Sequence, residues 1–183
     1  MSTPIVVMGV SGCGKSTLAR DLANRIGRTF IEGDDCHPPA NVAKMSAGIS
    51  LTDDDRRPFL EKVSAALLAA EGGGVASCSA LRRRYRDLIR MRCGHVLFVL
   101  PIVPYGDLVG RMLGRDHFMP ASLLDSQLAT LELPTPDEFA VLIDGLMDTP
   151  SQVRAVLSAV PDLGIGSLRK PDGYTDMQCS YHE

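Results

Sequence analysis

Residues 9–16 read Gly-Val-Ser-Gly-Cys-Gly-Lys-Ser, and they follow directly on the apolar run 5–8. Residues 18–25 then show the apolar spacing of a helix. The pattern G-x-x-x-x-G-K-S between a buried strand and a helix start is typical of a P-loop, which cradles the phosphates of a nucleotide. A glycine-rich turn that carried a lysine by chance would lack both flanking elements. The sequence therefore predicts that this chain binds a nucleoside triphosphate.

Each residue type in this loop has a physical task. Glycines let the backbone adopt positive φ and approach phosphate oxygens without a Cβ in the way. The freed N–H groups at the helix N-terminus then form an anion site. Lys15 is placed to reach the β- and γ-phosphates, and the Ser16 hydroxyl is placed to ligate Mg²⁺. The predicted nucleotide-binding residues are Gly9, Ser11, Gly12, Cys13, Gly14, Lys15, Ser16 and Thr17.

The composition is that of one ordinary globular domain, with 183 residues of which 45% are hydrophobic and 22% charged. The net charge of −3 predicts no general attraction to nucleic acid or to an anionic membrane. No apolar run approaches the roughly 20 residues that span a bilayer, and the first predicted strand begins too early for a signal peptide. The five cysteines lack C-x-x-C spacing, which argues against a zinc site and a disulfide framework. We therefore expect a cytoplasmic protein.

Strand and helix patterns alternate along the chain. This alternation predicts an α/β fold in which helices cover both faces of a five-stranded parallel sheet. Ligands should gather at the carboxyl ends of the strands, where Gly9, Asp34 and Ser79 fall. We expect residues 1–160 to form this domain and residues 161–183, which lack apolar periodicity, to form a flexible tail. The predicted strands are 5–8, 29–32, 75–78, 95–100 and 138–143.

Asp34 is the first candidate for chemistry beyond the P-loop. It follows the second predicted strand, on a loop that should face the γ-phosphate. A carboxylate there accepts a hydroxyl proton as the phosphoryl group moves, or holds a magnesium-bound water. The third predicted strand ends Val-Ala-Ser-Cys-Ser at 75–79, without the acidic residue usual in P-loop NTPases, so Asp34 is the better-placed carboxylate. The alternative is an aspartate that only forms a turn.

A group of cationic and polar side chains is the second candidate. The planar fork of arginine suits the capture of a carboxylate or phosphate, so the group favours a small anionic substrate. The alternative is a solvated helix face, which we expect to hold for two of the four arginines between 82 and 86. The group consists of His37, Lys44, Arg56, Arg82, Arg83, Arg84 and Arg86.

A third cluster, Arg111, Arg115 and His117, surrounds a glycine-containing loop. Such a loop is able to close over ATP and bring an arginine to the transferring phosphoryl group, where arginines contribute on the order of 10³ to 10⁵ in rate. A kinase needs this closure because water competes with the acceptor hydroxyl. A plain surface loop is the alternative. We predict a mobile lid at about 111–121, with Arg111 and Arg115 joining Lys15 and Asp34 as catalytic residues.

Several stretches outside the P-loop resemble the gluconate kinases. Residues 33–48 read Gly-Asp-Asp-Cys-His-Pro-Pro-Ala-Asn-Val-Ala-Lys-Met-Ser-Ala-Gly, and residues 51–60 read Leu-Thr-Asp-Asp-Asp-Arg-Arg-Pro-Phe-Leu. Cys-Ser-Ala-Leu at 78–81, Tyr-Arg-Asp at 85–87, His-Phe-Met-Pro at 117–120, Leu-Leu-Asp-Ser-Gln at 123–127 and Leu-Glu at 131–132 add to it. The resemblance covers residues 4–160, and D-x-x-H-P-x-x-N-x-x-K-M with S-A-L-x-x-x-Y-R is more specific than the P-loop.

The resemblance implies an ATP-dependent gluconokinase that makes 6-phospho-D-gluconate. It also implies a three-layer α/β/α P-loop kinase fold similar to that of shikimate and nucleoside monophosphate kinases, with strand order 2-3-1-4-5, a mobile lid and a homodimer. By the same resemblance Asp34 activates the 6-hydroxyl. Mg²⁺ is expected on Ser16, with Asp34 reaching it through water. The residues expected to bind the sugar acid are Asp34, His37, Lys44, Arg56, Ser79 and Arg86.

The chain departs from the family pattern at three points. Phe59 stands where the family has Trp, Ser50 stands where it has Pro, and the lid is one residue shorter between Arg115 and the His-Phe pair. The shorter lid makes Arg111 an alternative to Arg115. Two other functions stay open: a kinase of the same fold for another small anionic hydroxy compound, such as shikimate or a different aldonate, and a non-catalytic P-loop ATP-binding regulatory protein.

Overall fold

The strands of the protein form one parallel sheet. In the computed structural model, which describes residues 2–113 and 121–161, the strand order is β2-β3-β1-β4-β5. Every neighbouring pair runs parallel. The predicted α/β fold and the strand order 2-3-1-4-5 are therefore confirmed. The strands are β1 Ile5–Val7, β2 Phe30–Ile31, β3 Val75–Ser77, β4 Leu97–Ile102 and β5 Ala140–Asp144.

Helices connect the strands throughout the described residues. They are α1 Lys15–Ile26, α2 Pro39–Ser46, α3 Asp53–Ala69, α4 Arg83–Cys93, α5 Tyr105–Leu113, α6 Ala121–Thr130 and α7 Thr149–Ala159, and a 3₁₀ turn spans Gly33–Cys36. Within residues 2–113 and 121–161, no helix combines the length and apolar character needed to cross a bilayer.

Side chains of β1 alternate between the two faces of the sheet. Ile5 and Val7 are fully buried in a core shared with α1 and α7. Val6 and Met8 are fully buried in a second core, shared with α3 and α4. Since both faces are covered, the sheet is the middle of three layers. A third cluster packs α5 and α6 against the P-loop and consists of Val10, Cys13, Leu81, Val103, Leu108, Met112 and Leu124.

β4 runs through a proline, beyond its predicted end at residue 100. The N–H of Leu97 and the carbonyl of Val99 bond toward β1, so alternate residues of β4 face that neighbour. β1 pairs with β4 only as far as Val99. Pro101 therefore lacks its N–H on the side where β1 has already ended, and the pairing with β5 continues to Ile102.

Candidate active site

Three glycines shape the loop between β1 and α1. Gly9, Gly12 and Gly14 have φ values of 126°, 84° and 91°, which residues with a Cβ rarely adopt. A Cβ at Gly9 would also lie 2.9 Å from Leu100 Cδ1. Gly14 is the N-cap of α1, so the loop runs directly into a helix N-terminus. Such a loop presents backbone N–H groups to an anion, as the motif predicts.

Lys15 lies at the start of α1, and its ammonium spans the loop. Its Nζ donates a hydrogen bond of 2.8 Å to the Val10 carbonyl, which holds the charge against the backbone of the loop. Ser16 is half-buried beside it, and Thr17 is exposed. Lys15, Ser16 and Thr17, three of the expected nucleotide-binding residues, therefore lie at the helix N-terminus.

Two further loop residues contact the rest of the protein. The Ser11 N–H donates to Gln127 Oε1 of α6 at 2.7 Å, a contact that the sequence did not indicate. The Cys13 thiol is buried and lies 3.9 Å from the Met8 carbonyl. We thus expect Cys13 to contact a phosphate through its backbone, while its side chain packs beneath the loop.

The carboxyl end of β3 lies against the P-loop. The Gly9 N–H donates to the Ser79 carbonyl at 3.1 Å, and the Cys78 N–H donates to the Val7 carbonyl at 3.0 Å. Ser79 is half-buried at this junction. The next residue, Ala80, has φ of 39° and is the one non-glycine residue with positive φ in the described chain. Unusual backbone conformations of this kind cluster at functional sites.

Asp34 lies on the 3₁₀ turn that follows β2, and it is exposed. No hydrogen bond or ion pair within residues 2–113 and 121–161 engages its carboxylate. The pKa of the neighbouring Cys78 thiol is raised to about 12, mainly by burial. The positive charge of Lys15 lowers this pKa, and the negative charge of Asp34 raises it. Because both charges act on one thiol, the carboxylate and the P-loop lysine both lie near the carboxyl end of β3.

Gly33 brings this turn close to β3. Its N–H donates to Ser77 Oγ at 3.0 Å, and a Cβ at residue 33 would lie 1.9 Å from the Ser77 carbonyl oxygen. The Ser77 hydroxyl in turn donates to the Glu32 carboxylate. Only glycine permits this approach, which determines where Asp34 sits.

We predict that Gly33→Ala lowers the free energy of unfolding by about 1–3 kcal/mol, because the added methyl overlaps a carbonyl oxygen that is part of the sheet. Urea denaturation measures this change. Gly106→Ala is the matched control, since a Cβ on this helical glycine meets nothing within 4 Å. Equal stability of the two variants would contradict the close approach.

His37 follows the 3₁₀ turn, and its ring is fixed by two neighbours. The imidazole stacks on Phe59 with centroids 3.8 Å apart and an interplanar angle of 7°. Its Nδ1 lies 3.3 Å from Asn41 Nδ2. Burial lowers the pKa of His37, and Asp34 raises it while Arg56 lowers it. His37 therefore lies within the electrostatic reach of both Asp34 and Arg56, so three of the expected substrate residues are brought together.

Lys44 and Arg56 are both held by α3 and its N-terminus. Lys44 Nζ donates to the two carboxylate oxygens of Asp55 at 2.7 and 2.8 Å, which with bonds from Thr52 lowers the pKa of Asp55 to about 2. The Arg56 guanidinium donates to the Leu51 carbonyl and lies 5.6 Å from the centre of the Tyr85 ring. Lys44 thus has a carboxylate partner already, whereas Arg56 is fixed by a neutral carbonyl and an aromatic face.

Three arginines at the N-terminus of α4 divide between two sides of the helix. Arg84 Nη2 lies 2.5 Å and Arg82 Nη1 3.8 Å from the Asp53 carboxylate. The hydrogen bond from Tyr85, and then that from Arg84, lower the pKa of Asp53. Arg83 bonds to Asp87 and Asp137. Arg82 and Arg84 therefore belong to the side of α4 that faces α3, and Arg83 belongs to the opposite side.

Arg86, which was expected to bind substrate, is engaged by the protein itself in this structure. Its side chain is fully buried and forms a two-pronged ion pair with Glu138, with Nε–Oε2 at 2.6 Å and Nη2–Oε1 at 2.8 Å. Nη1 donates to the Glu132 carbonyl at 2.9 Å. Burial raises the pKa of Glu138, and the bonds from Arg86 and the Thr135 N–H outweigh it, so that this pKa is lowered. Arg86 ties α4 to the segment before β5 instead of reaching a ligand.

Arg86→Met is expected to lower the free energy of unfolding by about 3–5 kcal/mol, because it leaves the Glu138 carboxylate buried without its partner. The double variant with Glu138→Leu should recover much of the loss. Arg92→Met, which breaks the exposed pair with Glu61, should cost under about 1 kcal/mol. Denaturant titration compares the three. A stable Arg86→Met protein with impaired substrate binding would restore the original expectation.

The predicted lid lies mostly outside the described residues. Arg115 and His117 fall in 114–120 and are not described. Arg111 lies on α5, and its Nη2 donates to the Gly145 carbonyl at 2.9 Å, which joins α5 to the segment after β5. The expected tail at 161–183 is likewise outside the described residues, apart from Pro161.

The site fits a phosphate-bound magnesium ion better than a protein-built metal centre. No group of three or more His, Cys, Asp or Glu side chains in the described part of the chain is arranged to hold a metal. Mg²⁺ usually keeps several waters and binds through substrate phosphates with one or two side chains. The half-buried Ser16 at the start of α1 and the exposed Asp34 match that type of site.

Comparisons with known proteins agree with this geometry. The shikimate kinase family profile matches residues 11–115. A gluconokinase from Gluconobacter oxydans (strain 621H) is 50% identical over 145 residues, covering 77% of this chain and 82% of that protein. The thermosensitive gluconokinase of Escherichia coli (strain K12) is 42% identical, with 73% of each chain covered.

A solved structure is similar over nearly the same range. The crystal structure of a gluconokinase from Sinorhizobium meliloti 1021 superposes with a TM-score of 0.79 at 45% sequence identity, covering 86% of this chain and 90% of that one. Identity at this level over most of both chains is far above what a shared fold alone produces. The chain belongs to the gluconokinase family, within the shikimate kinase-like P-loop kinases.

Proposed function

We propose that this protein transfers the γ-phosphoryl group of ATP to the 6-hydroxyl of D-gluconate and so forms 6-phospho-D-gluconate. Family membership supports the proposal. The observation that carries it is the placement of Lys15 and Asp34 by two loops that both pack on the carboxyl end of β3, where the Gly9 N–H donates to the Ser79 carbonyl and the Gly33 N–H donates to Ser77 Oγ. An acceptor hydroxyl between the two would meet the terminal phosphate on one side and a proton acceptor on the other.

The P-loop would supply binding and electrostatic stabilisation. Phosphoryl transfer proceeds through a loose transition state with charge on the equatorial oxygens, so catalysis consists mainly of positioning and charge stabilisation. The backbone of residues 9–16 and the ammonium of Lys15 would neutralise that charge. To do so, Lys15 Nζ would exchange its bond with the Val10 carbonyl for phosphate oxygens.

Asp34 would accept the proton of the 6-hydroxyl. Its carboxylate is exposed and belongs to a turn that Gly33 holds against β3. A group at this position is aimed by the backbone, so little reorganisation is needed when a substrate arrives. Proton acceptors placed in this way contribute about 10² to 10⁴ in rate.

The sugar acid would bind on the side of Asp34 that faces α3. Asp34 raises the pKa of His37 and Arg56 lowers it, so His37 lies near both charges. The guanidinium of Arg56 is suited to binding a carboxylate. Ser79 would line the floor at the end of β3. Lys44 would act mainly by holding α2 against α3 through Asp55.

Magnesium would be held by the Ser16 hydroxyl, with Asp34 reaching it through water. When bound, the ion neutralises charge on the phosphates during transfer. The homodimer, the cytoplasmic location, the roles of Arg111 and Arg115, and the division into a domain at 1–160 and a tail stay predictions.

A phosphorylation assay over a panel of sugar acids tests the proposal. The full chain with ATP and Mg²⁺ is expected to consume ATP only when D-gluconate is present, and ³¹P NMR should identify the product as the 6-phosphate. Preference for shikimate or another aldonate would favour a different kinase of the same fold. ATP binding without turnover on any acceptor would favour the regulatory alternative.

A further inference from the structure

The imidazole of His37 lies in a niche built by two helices. Phe59 of α3 stacks on one face of the ring. Asn41 of α2 contacts the ring edge at Nδ1. Asn41 is only 3% exposed, so this contact is sheltered from water. The Asn41 amide is therefore placed to influence which nitrogen of the His37 ring carries a proton.

The orientation of the Asn41 amide follows from its second partner. Asn41 Nδ2 donates to the Asp55 carbonyl oxygen at 2.7 Å. A backbone carbonyl accepts hydrogen bonds and never donates them, so the group that faces it must be the NH₂ group. One amide hydrogen is then used on Asp55, and the other is directed at His37 Nδ1, 3.3 Å away.

This geometry decides which ring nitrogen carries the proton. A nitrogen that receives an N–H must present its lone pair, so Nδ1 is unprotonated and the proton of the neutral ring lies on Nε2. A protonated imidazolium would direct an N–H at another N–H across this contact. The network therefore favours the neutral ring with Nε2–H as its one donor.

The anchor of the network is rigid. Asp55 closes the capping box of α3 with Thr52, and its carboxylate is bound by Lys44 from α2. The carbonyl that orients Asn41 is thus fixed by a helix N-terminus and an ion pair. The charged groups facing His37 are Asp34 from the 3₁₀ turn and Arg56 from α3, and they act in opposite directions on its pKa, while burial lowers it.

We propose that Asn41 is a positioning residue that holds His37 as the neutral Nε2–H tautomer, so that His37 donates a hydrogen bond to an oxygen of the sugar acid next to Asp34. The inference rests on the proposed function for its substrate. The alternative is a purely structural Asn41 that joins α2 to α3 through Asp55 and has no influence on the ring.

Long-range ¹H–¹⁵N NMR of the full-length protein at pH 8 reads the tautomer directly, and a His37→Gln spectrum assigns the signals. In the wild type we expect the proton on Nε2. In Asn41→Asp a carboxylate replaces the donor, so the proton should move to Nδ1 and the pKa of His37 should rise by about one unit or more. In Asn41→Leu the preference for Nε2 should be lost.

Kinetics provide the second readout. Asn41→Leu is expected to raise KM for gluconate about tenfold, with a much smaller effect on KM for ATP, since one hydrogen bond of this kind is worth about 1–1.5 kcal/mol. The matched control is Gln152→Leu, which removes another buried amide. Gln152 lies on α7, and its Nε2 donates to the Met147 carbonyl at 2.7 Å. It should leave the His37 signals unchanged.

Each outcome decides the proposal. If the wild-type protein carries the His37 proton on Nδ1, the proposal is wrong. This measurement needs no variant, so it remains decisive even if Asn41→Leu does not fold. The proposal is also wrong if Asn41→Leu keeps the His37 proton on Nε2 as in the wild type, or if its KM for gluconate is unchanged. Asn41 would then only join α2 to α3. Failure of the proposed function is distinct from both, because the tautomer is measured without substrate and would stand even if gluconate proved not to be phosphorylated.

Discussion

Replacing Lys15 with alanine is expected to lower the rate of phosphoryl transfer by about 10³-fold, because it removes the side-chain charge aimed at the transferring phosphate. The fold should persist, since the ammonium makes one hydrogen bond, to the Val10 carbonyl, and the loop is shaped by glycines at positive φ. The measurement is kcat with saturating gluconate and ATP, together with circular dichroism.

Lys62→Ala is the control for this change. Lys62 is an exposed lysine of α3 whose Nζ lies 3.4 Å from the Asp35 carbonyl. It should leave kcat within about twofold, because a solvated charge outside the cradle is screened by water and salt. Turnover by Lys15→Ala at the wild-type rate would contradict the role of this lysine.

The second large effect is expected for Asp34→Asn. The substitution keeps the shape of the side chain and removes its ability to accept a proton, so kcat should fall by about 10² to 10⁴. The KM for gluconate should change little, since the carboxylate acts in the transition state. Steady-state kinetics at several gluconate concentrations separate the two parameters.

Asp35→Asn provides a neighbouring control. Asp35 is an exposed carboxylate of the same 3₁₀ turn, so the two variants change the local charge equally. Only the Asp34 variant should lose kcat. A rise in KM with unchanged kcat would instead show that Asp34 positions the substrate without taking its proton.

Much of the fold was predictable because its signals are local. The P-loop pattern lies between a fully buried strand and a helix, and each of the three is recognisable within a few residues. The position of Asp34 followed from the same logic, since it comes directly after a strand whose carboxyl end lies beside that of β3. Parallel strands connected by helices leave few possible arrangements of these loops.

The buried ion pair of Arg86 was not predicted, and the reason is non-local. Its partner Glu138 is 52 positions away in the sequence, and no pattern within α4 distinguishes an arginine that pairs with it from one that faces solvent. The resemblance to a family matched Arg86 to a motif position, but it did not show what the side chain contacts. In a motif, an arginine that forms a buried ion pair looks the same as one that binds substrate.

Asn41 was missed for a different reason, although a signal was available. It follows His37 by four positions, a spacing that brings side chains together at the start of a helix. The sequence could suggest that contact, but the amide orientation depends on the Asp55 carbonyl of another helix. The tautomer of His37 therefore required the three-dimensional arrangement of α2 and α3.

In the proposed reaction, the Asp34 carboxylate and the P-loop Lys15 lie on either side of the acceptor hydroxyl. A crystal structure of the complex with a non-hydrolysable ATP analogue, Mg²⁺ and D-gluconate tests it most directly. We predict that the 6-hydroxyl lies within hydrogen-bonding distance of the Asp34 carboxylate, about 2.6–3.2 Å, and faces the terminal phosphate beside Lys15. Gluconate bound with its 6-hydroxyl away from Asp34, or a nucleotide outside the loop at 9–16, would contradict it.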